Sequence, residues 1–131
     1  LNSNTTASRS LAIGNSALLI SNAVDNLAIG NNALLSLTSG QQNVGIGNNA
    51  LNGNVSAHFN TAVGYNAGNA ASGGGNTFIG NNIASDQAAG SPAVANNVVV
   101  GASAFSNGNG MTSAASANTI LGYAAGNLIT T

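Results

Sequence analysis

The chain of 131 residues has no Cys and no Trp, one Pro, one Met and five other aromatic residues counted as Phe and Tyr. It also has very little charge. Arg9, Asp25 and Asp86 are the only fully charged side chains at neutral pH, so charged residues make up 2% of the sequence, against about 25% in an ordinary soluble domain. A nucleic-acid binder needs clustered Lys and Arg to displace counterions from phosphates, and one Arg excludes that partner. The lack of Cys removes disulfides, iron–sulfur clusters and zinc-thiolate sites without indicating a compartment. The longest apolar run, Ala17 to Ile20, has four residues, far short of the ~20 that a membrane-spanning helix needs, and membrane insertion is not expected. The start, Leu1-Asn2-Ser3-Asn4-Thr5, has neither an initiating Met nor the pattern of a secretory signal, and reads as that of an interior fragment or a processed product.

What is present is Ala, Val, Ile and Leu set among Asn, Ser, Thr and 18 Gly, with 44% hydrophobic residues. That is too apolar for charge-driven disorder and too poor in large side chains for one thick core. A thin, repetitive core of small residues is the expectation. The repeat is visible in Asn26-Leu27-Ala28-Ile29-Gly30-Asn31-Asn32-Ala33-Leu34 and again in Asn43-Val44-Gly45-Ile46-Gly47-Asn48-Asn49-Ala50-Leu51. Copies follow around Gly64 and Gly80, one precedes around Gly14, and two divergent copies surround Gly101 and Gly122. The steps between these seven glycines are 16, 17, 17, 16, 21 and 21 residues. Such a unit is too short for a helical repeat and suits one coil of a parallel β-solenoid or β-roll. The chain divides into a lead-in over 1–9, regular rungs 1–5 over 10–84, and irregular rungs 6 and 7 with longer loops over 85–131. Those loops are expected near 85–95 and 106–117.

Columns of the repeat carry expectations of their own. The residue before each Gly (Ile13, Ile29, Ile46, Val63, Ile79, Val100, Leu121) is always branched or large and apolar, and is expected to stack inward with the small third residue after the Gly (Ala17, Ala33, Ala50, Ala67, Ile83, Ala104, Ala125). The residue two before the Gly (Ala12, Ala28, Gly45, Ala62, Phe78, Val99, Ile120) lies on the opposite pleat. That second face is expected to meet a neighbouring copy, because one coil alone buries little. Asn26, Asn43, Asn60, Asn76, Asn97 and Asn118, with Ser10 in the first rung, are expected to form an amide ladder at the ~4.8 Å rung spacing. Gly14, Gly30, Gly47, Gly64, Gly80, Gly101 and Gly122 mark a turn that needs positive φ or close packing. Gly73-Gly74-Gly75 lacks the Lys of a phosphate-binding loop and reads as a flexible corner.

The copy Asn60-Thr61-Ala62-Val63-Gly64-Tyr65-Asn66-Ala67-Gly68 resembles the Asn-Thr-Ala-Ile/Val-Gly-Tyr repeats of phage and virus tail fibres and, more distantly, the head repeats of trimeric autotransporter adhesins of the YadA type. The resemblance covers about residues 10 to 126. It implies a homotrimer of parallel β-rolls in a fibre that projects from a virion or cell surface and supports attachment to a host-surface glycan or protein receptor. The repeat positions that match are scaffold positions, and no binding residue carries over. Adhesin heads usually repeat in about 14 residues, so the longer steps here fit the fibre type better.

Chemistry finds little to work with. Asp25 and Asp86 stand about four rungs apart, roughly 19 Å along a solenoid, whereas glycosidase carboxyls sit about 5 to 10 Å apart. His58 has no nucleophile or acid at a motif spacing and reads as a solvated or turn-stabilising side chain. No catalysis, cofactor or metal site is expected. Tyr65 and Tyr123, each directly after a repeat Gly, are candidates for stacking on sugar rings, with corner packing as the alternative. An ice-binding solenoid would need a regular Thr array, and the column Leu11, Leu27, Val44, Thr61, Thr77, Val98, Thr119 is irregular. The scarcity of charge fits the stacked reading, since each surface position would face its own copies one rung away.

Overall fold

The computed structural model describes residues 9–85, 94–106 and 116–126. Asp86 and most of the two expected loops lie outside them. Each repeat contributes one three-residue strand: β1 (Leu11–Ile13), β2 (Leu27–Ile29), β3 (Val44–Ile46), β4 (Thr61–Val63), β5 (Thr77–Ile79), β6 (Val98–Val100) and β7 (Thr119–Leu121). They form one seven-stranded sheet in sequential order with every pair parallel. The chain is therefore an all-β solenoid of about six turns, rising about 29 Å at ~4.8 Å per step. Register follows the repeat columns, Leu11 on Leu27 on Val44 and so on. It survives the longer steps, where Thr77 pairs with Val98 and Val98 with Thr119.

Between strands the backbone turns through three left-handed corners per rung. In rung 3 these are Gln42 (φ 57°), Asn49 (φ 58°) and Leu51 (φ 51°), and equivalent residues recur in the other rungs. Non-Gly residues adopt this conformation at a cost of about 1–2 kcal/mol each. Bonds to neighbouring rungs hold them there. The N–H of Asn49 donates to the carbonyl of Asn31 at 2.9 Å, and that of Leu51 to the carbonyl of Ala67 at 3.0 Å. The turn segments are thus tied along the axis as the strands are.

The interior corrects one expectation. The middle strand residue points inward: Ala28, Gly45, Ala62, Phe78, Val99 and Ile120 are buried. The residue before each Gly points outward, with Ile13 54% and Leu121 77% exposed. The Ala column after the Gly is buried as expected, from Ala17 to Ala104. The reason lies at the third left-handed corner. A left-handed residue there directs Leu18, Leu34 and Leu51 into the coil, where each is fully buried, leaving room for only Ala or Gly on the strand. A Cβ on Gly45 would stand 3.3 Å from Leu34 Cγ. At two corners Gly leaves room for a larger strand residue. Gly68 of rung 4 makes room for Phe78 of rung 5, whose Cδ2 would lie 2.7 Å from a Cβ at Gly68, and within rung 7 a Cβ at Gly126 would lie 2.7 Å from Ile120 Cδ1. In rung 6 the corner residue Phe105 and the strand residue Val99 are both large and both buried.

The repeat glycines sit at φ 123–139°, a region that residues with a side chain rarely occupy. A Cβ on Gly30 would lie 2.5 Å from the carbonyl carbon and oxygen of Gly47, so the column demands Gly on two counts. Gly73-Gly74-Gly75 also differs from the sequence expectation of a flexible corner. A Cβ on Gly73 would meet the backbone of Val94, and one on Gly74 would lie 2.7 Å from the His58 carbonyl oxygen. The corner is closely packed against its neighbours.

Candidate functional site

The Asn column runs up the inside of one corner as an unbroken ladder. Asn43 donates from its N–H and Nδ2 to Asn26 Oδ1 at 2.9 and 3.1 Å. Asn60 donates to Asn43 Oδ1 at 3.0 and 3.3 Å, and Asn76 to Asn60 Oδ1 at 3.0 Å for both bonds. Asn97 and Asn118 continue it. Asn26 through Asn97 are buried, and the second amide hydrogens of Asn26, Asn43, Asn76 and Asn97 find turn carbonyls, as Asn26 Nδ2 does on Gly40 at 3.0 Å. A ladder so fully engaged offers nothing to a substrate. Ser10 stands at its first position, with Oγ accepting from the Asn26 N–H at 3.1 Å.

A second ladder escapes the sequence reading. It occupies the left-handed position two residues after the repeat Gly and lies at the surface, half-buried. Asn32 Nδ2 donates to Asn49 Oδ1 at 3.2 Å, Asn49 to Asn66 at 3.1 Å and Asn66 to Asn82 at 2.9 Å. Its donors point toward later rungs, whereas those of the buried ladder point toward earlier ones. It stops at Asn82, because the next rung carries Ser103 there. Its sequence signal is the recurrence of Asn two residues after the repeat Gly, at Asn32, Asn49, Asn66 and Asn82.

Where the second ladder stops, an open groove of about 360 Å³ is lined by Asn66, Asn69, Asn82, Ser85, Ser103 and Ser106. These six form two rows along the axis, two and five residues after Gly64, Gly80 and Gly101. Every lining side chain among the described residues is an amide or a hydroxyl. Asn82 Nδ2 and the Asn69 carboxamide make no hydrogen bond within the described residues, so their capacity faces the groove. One rung earlier, Asn52 Nδ2 reaches Asn49 Oδ1 at 3.4 Å within its own turn.

The other sequence candidates are dispersed. Tyr65 and Tyr123 are 50% and 82% exposed in the single chain. They stand three rungs apart, about 14 Å, and do not form one platform. His58 stabilises a turn: its Nδ1 accepts from the Gln41 N–H at 3.1 Å, and its ring lies 5.9 Å from that of Phe59. Arg9 and Asp25 occupy the same corner column in successive rungs and form a forked ion pair, Nε to Oδ1 at 2.5 Å and Nη2 to Oδ2 at 2.8 Å. The guanidinium hydrogen bond holds the Asp25 carboxyl below its ordinary range, desolvation opposes this, and the charge attraction adds to it. The pair is exposed and satisfies itself. Among the described residues no three His, Cys, Asp or Glu side chains gather to hold a metal, and no helix is long and apolar enough to cross a membrane.

The outer face of the sheet completes the surface. Both flanking residues of each strand point outward, pairing Leu11 with Ile13, Leu27 with Ile29, Val44 with Ile46 and Val98 with Val100. Six steps of ~4.8 Å by one strand width of ~10 Å give a flat face of roughly 300 Å², with Thr61, Thr77 and Thr119 as its polar members. Among family models, curated proteins and solved structures, none matches the chain.

Proposed function

We propose that this chain is a structural and attachment segment of a projecting fibre, assembled as a homotrimer, displayed on a virion or cell surface and contacting a host-surface glycan or protein. The observation that carries the reading is the flat apolar face of the sheet. The face covers roughly 300 Å², its rows of Leu, Ile and Val interrupted by Thr61, Thr77 and Thr119; apolar surface of about this extent often serves contact, and packing copies against one another removes it from water. A narrow rod with Ile, Leu and Val along one ribbon and amides elsewhere is suited to lateral bundling. The repeat resemblance supplies the trimer and the fibre context. Dispersed ionisable groups give no support to catalysis. An adhesin head of the autotransporter type is the nearest alternative setting for the same assembly.

Sedimentation velocity tests the assembly. A trimer is expected, and Ile46→Asp on the outer face is expected to release monomers that keep the β-type circular dichroism. A wild-type chain that stays monomeric at high micromolar concentration overturns it. Adsorption of the labelled chain to intact bacterial cells, against a charge-matched control protein, tests attachment.

A further inference from the structure

We infer that the groove between Asn66, Asn69, Asn82, Ser85, Ser103 and Ser106 binds a neutral N-acetylated hexosamine, with the sugar's acetamido group continuing the surface amide ladder where Ser103 interrupts it. The inference deepens the attachment reading and rests on it, because it names the ligand class and the place of contact.

Three observations converge on that ligand. First, the described lining is uncharged. It is amide and hydroxyl throughout, and the chain's single cationic side chain, Arg9, stands in the first corner column, paired with Asp25. Such a lining matches a polyol and supplies no cation for a phosphate or a sialic acid. Second, its length fits. The two rows span rungs 4 to 6, two steps or about 10 Å, the extent of one or two pyranose rings lying along the axis.

Third, the ladder states which group belongs at its end. Along Asn32, Asn49, Asn66 and Asn82 each Nδ2 donates to the amide carbonyl one rung on, at 2.9 to 3.2 Å. At the last step the donor remains and the acceptor is missing, since the Ser103 side chain ends one atom beyond Cβ. An acetamido group is the carboxamide of Asn in a different attachment. Its carbonyl would accept from Asn82 Nδ2 as the next rung's Asn does, and its ring hydroxyls would face the second row, where Asn69 has both donor and acceptor capacity open. A plain hexose offers hydroxyls to the rows and nothing to the ladder.

The test uses the whole chain with N-acetylglucosamine, glucose and glucosamine as probes, read by saturation-transfer NMR and by titration of amide shifts. N-acetylglucosamine is expected to bind about tenfold more tightly than glucose, the contribution of about one neutral hydrogen bond. The decisive variant is Ser103→Asn, which supplies the missing rung at a left-handed position (φ 54°) that Asn tolerates. It is expected to keep the fold, read by circular dichroism, and to lose the preference for the acetylated sugar. Asn69→Ala, at a half-buried turn position, is expected to weaken all three sugars together. No binding of N-acetylglucosamine at tens of millimolar, equal binding of glucose, or unchanged preference in Ser103→Asn overturns the inference. If the chain adsorbs to cells and forms trimers yet ignores the sugar, the groove fails and the attachment reading stands. If the sugar binds a chain that neither trimerises nor adsorbs, the attachment reading fails and the groove stands.

Discussion

Replacing Asn60 by Ala should unfold the middle of the solenoid far more easily than replacing Asn118, although both are members of one ladder. Asn60 Oδ1 accepts from the Asn76 N–H and Nδ2, both at 3.0 Å. Without it the Asn76 amide hydrogens fare differently. Nδ2 keeps Gly73 O at 3.1 Å and Val94 O at 2.9 Å, but the backbone N–H is left buried without an acceptor. Stranding a buried donor costs about 1–3 kcal/mol, and the lost neutral bonds add about 1 kcal/mol. The expected loss is about 3 kcal/mol. At Asn118 the side chain donates to Asn97 Oδ1 at 3.0 Å and to Ser116 O at 3.3 Å, while Asn97 Oδ1 keeps the Asn118 N–H. Nothing is stranded among the described residues, and about 1 kcal/mol is expected. Urea unfolding followed by circular dichroism, at one fixed protein concentration because self-association would add to stability, resolves the difference of about 2 kcal/mol. Equal losses at the two positions would refute the claim that stranding, and not simple bond counting, sets the stability of the ladder.

Gly47→Ala puts a Cβ 2.6 Å from the Gly64 carbonyl carbon at φ 128° and should cost about 3 kcal/mol or more, whereas Gly122→Ala meets only Ala125 Cβ at 3.8 Å and should cost clearly less in the same denaturation experiment. Phe78→Ala opens the core and should cost about 3–5 kcal/mol; adding Gly68→Leu, which places Leu at that corner as in the first three rungs, should recover part of the loss, and a double-mutant cycle with no coupling would refute an exchange of bulk between Gly68 and Phe78. Asp25 has a folded-state carboxyl below its ordinary range, so its ion pair contributes stability above the ordinary carboxylate pKa of about 3.9 and loses it as pH falls through the lower folded value. Asp25→Asn should therefore flatten the acid limb of the melting temperature against pH, and an unchanged profile would contradict the sign. Thermal hysteresis should be negligible, since the outer column has Thr in three of its seven positions; appreciable ice-binding activity would refute the fibre reading.

Much of this architecture could be read from the spacing alone. Glycines at a near-constant step, with Asn four residues before most of them, required stacked parallel strands, and the ladder from Asn26 to Asn118 followed from chemistry that repeats at the rung spacing. The facing of the strand could not be read the same way. Ile29 and Ala28 alternate across one pleat whichever side is inward, and the larger residue is ordinarily the better core candidate. The decision is made five residues away, by Leu34 entering the coil from a left-handed corner. Leu has no reputation for that conformation, and only burial in a narrow interior explains its presence there. The groove was hidden for a related reason: Asn69, Ser85 and Ser106 look like ordinary turn residues until stacking sets them in a row beside Asn82.

Register that persists from Thr77 to Val98 to Thr119, across steps of 21 residues in place of 16 or 17, means that the solenoid measures position by columns and not by residue count. Whole coils can therefore be duplicated or lost with the cross-section unchanged, and each such event alters the length of the rod by one fixed increment of about 4.8 Å. Extra residues between columns likewise leave the neighbouring coils in step. The architecture behaves as a graduated ruler whose marks tolerate longer connections, so the number of coils and the length of the segments between them vary independently.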